Sequence, residues 1–335
     1  YVDRKQARRM DRFVQLAAAA SLEAFENSGI SINNGNADRV SVMVASGIGG
    51  IITLSDQIGV LNGRGPTRVS PFLVPMMLPD MASGQVSMLL GAKGANYCTV
   101  SACASGADSI GMAFEAIRRG DVDAAVTGGA EAAICPVGVA GFNACQALSK
   151  RNDDPKAASR PFDATRDGFV LGEGAGVLVL ESQTSMDSRG AEPIAEMIGY
   201  GSTADAYHIT QPGPEGEGGA RAMNMALSKA GISPENIDYI NAHGTSTPFN
   251  DKIETTAIKT AFGKHARNLS VSSRHMRSDS SKSALSISIG TISEHTSPLN
   301  PPIPYGLIWI LGLPQSWVRK RTDSRMRKFF ITFRS

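Results

Sequence analysis

The stretch from Asn96 to Glu131 limits the fold more than any other part of the chain. NYCTVSA reads as a strand, SGADSIGMAFEAIRRG as a helix stopped by Gly120, and VDAAVTGGAE as a second strand. Two strands joined through one helix form a parallel crossover pair, and such a sheet needs helices on its faces. The same alternation recurs elsewhere. RRMDRFVQLAAAASLEAFENSG sets Met10, Phe13, Val14, Ala17, Ala20, Ala24 and Phe25 at helical spacing ahead of Gly29, and RVSVMVASGIGG follows as a β-branched run ending in glycines. Further on, GVLVLE reads as strand, GGARAMNMALSKAG as helix and IDYINAHG as strand. The class is α/β, with parallel sheets covered on both faces. With 335 residues, 42% hydrophobic and 35 of them glycine, the chain can fill two domains or one duplicated unit.

Composition excludes several functions. No uncharged apolar run is long enough to span a bilayer, so no membrane role is expected. The chain starts at Tyr1 without a basic-then-apolar leader and is expected to be a fragment or processed product. Four cysteines, at 98, 103, 135 and 145, are too sparse for a disulfide framework and lack zinc-site spacing, which favours a reducing compartment. Of 33 basic and 31 acidic residues, 10 and 3 fall in 272–335, which leaves 23 against 28, a net of −5, over 1–271. The mildly acidic body argues against nucleic acid as a ligand. The segment 272–335 differs in kind. It holds both tryptophans, thirteen serines and three glycines, without sustained periodicity. It is either a basic disordered extension or a stretch read in the wrong frame.

Cys103, in TVSACASGADSIG, lies where the first strand is expected to meet the helix. Ligands gather at strand carboxyl ends in open α/β sheets, and a helix N-terminus favours a thiolate and a developing oxyanion. Ala102, Ala104, Ser105 and Gly106 leave room for a substrate. Against this stands an ordinary buried thiol. Cys98, inside the expected strand, and Cys135 and Cys145, in the loop-rich AAICPVGVAGFNACQALS, are assigned to packing. His243, in YINAHGTSTPFNDKIE, also follows a strand and precedes glycine and hydroxyl residues. Its imidazole can donate to a thioester carbonyl or move a proton, or simply satisfy a turn. The strand, turn and polar cluster around His243 repeat the arrangement at Cys103, as though one unit were duplicated with both strand ends facing one site.

TVSACASGADSIG, GGAEA, ASRPFDATRDGFVLGEGAGVLVLE and NAHGTSTPFNDKIE together resemble the β-ketoacyl-[acyl-carrier-protein] synthases, in particular the synthase II branch of bacterial and plastid fatty-acid synthesis. The resemblance runs from Tyr1 to about Ser273. It implies a thiolase-like duplicated αβαβα sandwich of mixed sheets, a homodimer, acyl carrier protein as partner, no cofactor and no metal, and a cytoplasmic or plastid-stromal location. It implies that Cys103 takes the acyl chain as a thioester and that malonyl carrier protein loses CO2 to give the attacking enolate. His243 then stabilises the enolate oxygen, Thr245 and Thr247 bind the pantetheine arm, Phe169 lies near the nucleophile, and Glu254 orients a catalytic lysine. Ile48, in SGIGG, matches an acyl-pocket position that is isoleucine in synthase II and smaller in synthase I; otherwise it is an ordinary strand-end apolar residue.

The family continues after VSS with TKSMTGH and later a glycine-rich phenylalanine loop. Here His275 stands at the lysine position, Ser280 at the second-histidine position, and no such loop appears. The stretch preceding YVDRKQ in the family, with its first core strand, is also missing. The abrupt switch reads as a frameshift in the source sequence. The expected organisation is an N-terminal half over 1–188, the start of a C-terminal half over 189–273, and a non-homologous tail over 274–335. A chain so altered is expected to fold poorly and condense little. Other readings are a non-catalytic partner subunit or carrier-protein binder, against which Cys103 speaks, and an interaction protein acting through the basic tail. A thiolase would need a second late cysteine, and none follows Cys145.

Overall fold

The computed structural model describes residues 2–208 and 212–273 and, as backbone only, the strands at 308–312 and 328–331. Among the described residues the helices are α1 (Arg4–Ala7), α2 (Arg12–Ser28), α3 (Ile51–Arg64), α4 (Leu73–Met77), α5 (Met81–Leu90), α6 (Ser105–Arg118), α7 (Pro136–Ala144), α8 (Gln183–Ser188), α9 (Glu217–Ala230) and α10 (Asn250–Phe262). The strands are β1 (Val40–Ala45), β2 (Ala124–Glu131), β3 (Gly174–Glu181), β4 (Glu196–Gly201), β5 (Tyr239–Asn241), β6 (Ser270–Ser272), β7 (Ile308–Gly312) and β8 (Lys328–Ile331).

Two sheets result. The first has the order β1-β2-β3, with β1 parallel and β3 antiparallel to β2. The second has the order β4-β7-β8-β5-β6, in which β5 runs parallel to both β6 and β8. The sheets are therefore mixed rather than purely parallel.

Side-chain alternation builds the layers. Val40, Val42 and Val44 of β1, Ala124 and Val126 of β2, and Val177 of β3 face α2 and α5 through Phe13, Val14, Ala17 and Val86. Phe13, fully buried there, contributes about 1.5–3 kcal/mol. The opposite face, with Met43 and Ala125, meets Ala113 and Ala116 of α6. The other flank of α6, through Ala107, Ile110 and Phe114, packs on Tyr200 of β4. On the far side of β4, Ile198 joins Ala226 and Leu227 of α9 and Ile258 of α10. The succession is helices, sheet, α6, sheet, helices, the five-layered α/β sandwich the resemblance implies.

α2 forms where its period predicts. Asp11 caps it by accepting from Phe13 N–H and also accepts from Thr53 N–H at 2.8 Å, while Gly29 ends it in the left-handed conformation at φ 67°. Two segments depart from expectation. NYCTVSA is not a strand: it touches β1 through a single bridge, Val42 to Asn96, and Cys98 follows outside any regular element. AAICPVGVAGFNACQALS is not loop-rich, because it contains α7, with Pro136 at the first turn where its missing N–H costs nothing.

The duplication is real but lies elsewhere than expected. α2, a short turn of helix at Ala37–Arg39, and β1 recur as α9, a turn at Pro234–Asn236, and β5. Gly-Ile-Ser follows both helices, at Gly29 and Gly231, each glycine left-handed. The turn equivalent to that of His243 is therefore Ser46–Gly49, which bears Ile48, and not the Cys103 turn, which follows no strand.

Candidate active site

Cys103 sits exposed in a single helical turn, Ala102–Ala104, that runs straight into α6. Ala102 has φ 52°, the left-handed region, which costs a non-glycine residue on the order of 1–3 kcal/mol. Hydroxyls hold the strained turn. Ser105 Oγ donates to the Ala102 carbonyl at 2.7 Å and accepts from Ser101 N–H at 2.9 Å, and Thr99 Oγ1 donates to the Ser105 carbonyl at 2.9 Å. The helix behind the turn is seated tightly, since a Cβ on Gly129 of β2 would lie 3.0 Å from Gly106 Cα. An exposed thiol thus stands at the N-terminal end of a well-packed 14-residue helix.

The other cysteines divide. Cys135 is buried and fits packing, and Cys98 is half-buried, its thiol pushed up mainly by burial. Cys145 is exposed at the C-terminal end of α7, so its assignment to packing is wrong.

Ile48 is set by a carboxylate outside its own turn. Glu131, at the end of β2, accepts from Gly47 N–H at 2.9 Å, Ile48 N–H at 3.0 Å and Ser46 Oγ at 3.1 Å. Burial raises the carboxyl group of Glu131, and these donors work against the rise. Gly47 abuts the Cys103 turn: a Cβ there would lie 3.1 Å from the Ala102 carbonyl oxygen. Ile48 and Cys103 thus share one end of the first sheet.

The turn after β5 has the same construction. Glu254 of α10 accepts from His243 N–H at 2.6 Å and Gly244 N–H at 2.8 Å, and Asn250 Nδ2 donates to it at 3.3 Å. His243 is buried. Thr245 Oγ1 and Thr247 Oγ1 are 2.9 Å apart, and Thr247 Oγ1 accepts from Asn250 N–H.

Between the threonines, Ser246 is left-handed at φ 66° and fully buried. It accepts from Arg160 N–H at its hydroxyl and from Gly168 N–H at its carbonyl. Those bonds bring in Phe169, which follows Gly168 and stacks edge-on against Phe142 at 5.4 Å. Arg166 locks the junction. It donates to the Thr247 and Pro248 carbonyls and pairs at 3.2 Å with Asp251, which also accepts from Phe162 N–H and Asn250 Nδ2.

The seven residues therefore fall into two contact groups, Cys103 with Ile48 and His243 with Thr245, Thr247, Phe169 and Glu254. The first stands at the head of α6 and the end of β1, the second at the end of β5, on α10 and on the segment that carries Phe169. His275 and Ser280 lie outside the described residues. Glu131, Arg166 and Asp251 were not foreseen. Glu131 ends a recognised strand and Asp251 sits inside a recognised motif, but their partners are remote in sequence. Among the described residues no cluster of three or more His, Cys, Asp or Glu could hold a metal ion, and no helix is long and apolar enough to cross a membrane.

The model of the β-ketoacyl synthase N-terminal domain matches residues 1–185, and that of its C-terminal domain matches residues 194–285. The chain belongs to the β-ketoacyl synthase family. Over 273 residues, this β-ketoacyl synthase is 56% identical to 3-oxoacyl-[acyl-carrier-protein] synthase 2 of Staphylococcus aureus strain N315, covering 82% of the chain and 66% of that protein. The enzyme of the same name from Synechocystis is 54% identical over the same span. The chain thus spans about two thirds of the length of these relatives. Among solved structures, a synthase from Burkholderia phymatum STM815 is 38% identical at a TM-score of 0.72, with 78% of this chain and 64% of that one covered. A ketosynthase in complex with its type II PKS acyl-carrier protein, bound to the hexaketide, is 34% identical at a TM-score of 0.74, covering 78% and 65%. The thiolase-like fold follows from these relationships and from the layers described above.

Proposed function

We propose that this chain elongates acyl chains by two carbons through decarboxylative Claisen condensation on Cys103. The observation that carries the reading is the exposed thiol on a strained turn at the head of α6. The Cys103 thiol gives up its proton and its sulfur attacks the thioester carbonyl of acyl carrier protein; the new C–S bond replaces the old one, and the carrier leaves as a thiolate that takes up the released proton. Malonyl carrier protein then loses CO2, and the electrons of the broken C–C bond form an enolate. The enolate carbon attacks the Cys103 thioester, and the C–S bond breaks to return the thiolate and release β-ketoacyl carrier protein.

His243 stabilises the enolate oxygen, a form of help that is often the largest single contribution to catalysis. Thr245 and Thr247 receive the pantetheine arm, Ile48 and Phe169 border the acyl chain, and Glu254 holds the His243 turn, matching the acid that orients a catalytic lysine in the family, at whose position this chain has His275. The partner is acyl carrier protein, as it is for the solved ketosynthase complex. A homodimer is supported by exposed apolar residues on α3 and α4, among them Ile58, Leu61 and Val74. Four unpaired cysteines support a reducing compartment, the cytoplasm or plastid stroma. Halves over 1–188 and 189–273 and a distinct segment from 274 fit the same reading.

In register with the family, His275 and Ser280 replace the lysine and second histidine, so acyl transfer is expected to outrun condensation. The test is acyl-carrier-protein loading followed by peptide mass mapping, then addition of malonyl carrier protein. An acyl adduct on Cys103, absent in C103A, is expected, with little β-ketoacyl product. A folded chain with no adduct on Cys103 refutes the reading; rapid product formation refutes the expected imbalance.

A further inference from the structure

We infer that Asp108 is a positioning residue for Cys103, through which the second sheet fixes the nucleophile turn. The inference rests on the role of Cys103 proposed above.

Asp108 lies in the first turn of α6. An acid there ordinarily answers the helix's own amides or its dipole, yet α6 has no side-chain cap bond. The carboxylate of Asp108 instead gathers three hydroxyls, one from the turn just before α6 and two from a distant segment. Ser101 Oγ donates to Oδ2 at 2.5 Å, and Tyr200 OH and Ser202 Oγ donate to Oδ1 at 2.6 and 3.2 Å. Ser101 stands two residues before Cys103, and its N–H is tied to Ser105 Oγ. Tyr200 belongs to β4 and Ser202 follows it, 92 and 94 residues further along the chain.

Tyr200 is a firm anchor. Its ring lies on Gly111 so closely that a Cβ there would fall 2.4 Å from ring carbons. Lys229 Nζ stands 5.5 Å from the ring centroid and pairs with Glu115 of α6 at 3.0 Å. Burial, and then the Asp108 hydrogen bond, raise the Tyr200 phenol, so it stays protonated and donates. The turn that holds Ala102 at positive φ is thus braced from outside by β4, and a slackened turn withdraws Cys103 from its place at the head of α6.

The test compares D108A with D108N. Both remove the charge, so any direct effect on the thiolate cancels. Only asparagine keeps an acceptor for Tyr200 and supplies a donor to Ser101. Y200F removes one hydroxyl and leaves the ring packing. In the full chain, iodoacetamide labelling is mapped per cysteine, with exposed Cys145 as internal reference, and acyl transfer to Cys103 is measured in parallel.

D108A is expected to lower the Cys103-to-Cys145 labelling ratio and the kcat of acyl transfer on the order of 10-fold, with KM for acyl carrier protein nearly unchanged. D108N should recover most of the loss, and Y200F should fall between. Equal labelling ratios and kcat in D108A and D108N overturn the inference, as does a D108A variant altered in Tm alone. If the wild type forms no acyl-enzyme, the functional reading fails, while the labelling ratio still decides the positioning role.

Discussion

Replacing Arg166 with Met tests the junction that joins Phe169 to the threonine turn. The Arg166 and Asp251 side chains are 4% and 0% exposed and 3.2 Å apart. At an effective dielectric near 20 the Coulomb attraction at that distance is about 5 kcal/mol. Removing one partner of a buried pair typically costs about 3–5 kcal/mol, because the other charge stays buried. R166M also orphans the Thr247 and Pro248 carbonyls, whereas Asp251 keeps Phe162 N–H and Asn250 Nδ2. A loss of about 4 kcal/mol at pH 7.5 is expected, lowering the urea midpoint by about 1.3 M for a slope of about 3 kcal/mol/M.

The pH dependence makes the test sharper. Burial already raises the Asp251 carboxyl group, and Arg166 is one of the groups holding it down. Without Arg166 the folded-state pKa climbs further, so the native variant binds a proton that the unfolded chain has released, and its stability recovers as pH falls. The gap between R166M and wild type, followed by circular dichroism in urea, should therefore narrow from pH 7.5 to pH 5. A loss below about 1 kcal/mol at pH 7.5, or a gap that stays flat or widens toward acid, refutes the assignment of the cost to an unpaired buried carboxylate.

E131Q keeps the shape of a carboxylate whose folded-state pKa is raised by burial. Wild type should lose stability as pH rises from the ordinary glutamate value through that raised one, and E131Q should not; parallel urea midpoints across pH 4–8 would contradict this. G111A gains up to about 1 kcal/mol of helix propensity, yet its methyl group meets the Tyr200 ring at 2.4 Å, so net destabilisation of about 1–3 kcal/mol is expected in a thermal scan. Cys98, half-buried with a raised thiol, should react with iodoacetamide several-fold more slowly than exposed Cys103 at pH 7.5, and equal mapped rates would count against the described burial.

α2, α6 and α9 were legible because burial on one face imposes a period and a left-handed glycine follows each of them, whereas β1 and β2, buried on both faces, showed as short runs of β-branched and small residues. NYCTVSA was misread because its aromatic and β-branched residues suggest a strand, while Val100 is 59% exposed and the segment makes only one bridge. α7 was hidden by breakers with tertiary reasons: Pro136 occupies the first turn, and a Cβ on Gly138 would lie 2.2 Å from the Ala133 carbonyl oxygen. Cys103 and His243 could be found because a turn rich in small and hydroxyl residues after an apolar run is a local signal. Asp108, Glu131 and Arg166 could not, since each acts on partners more than 80 residues away.

The two glutamate-held turns assemble at different stages. Glu254 lies 11 residues from His243, so the histidine turn can close as soon as α10 folds against β5. Glu131 lies 84 residues from Gly47, and its carboxylate arrives only when β2 has paired along β1. Closing that loop carries the larger entropy cost and belongs to the slower, non-local part of folding. The Ile48 turn, and the Ala102 carbonyl it abuts, are therefore completed late, and a nascent chain ending before Glu131 would have Cys103 translated but not yet set in place.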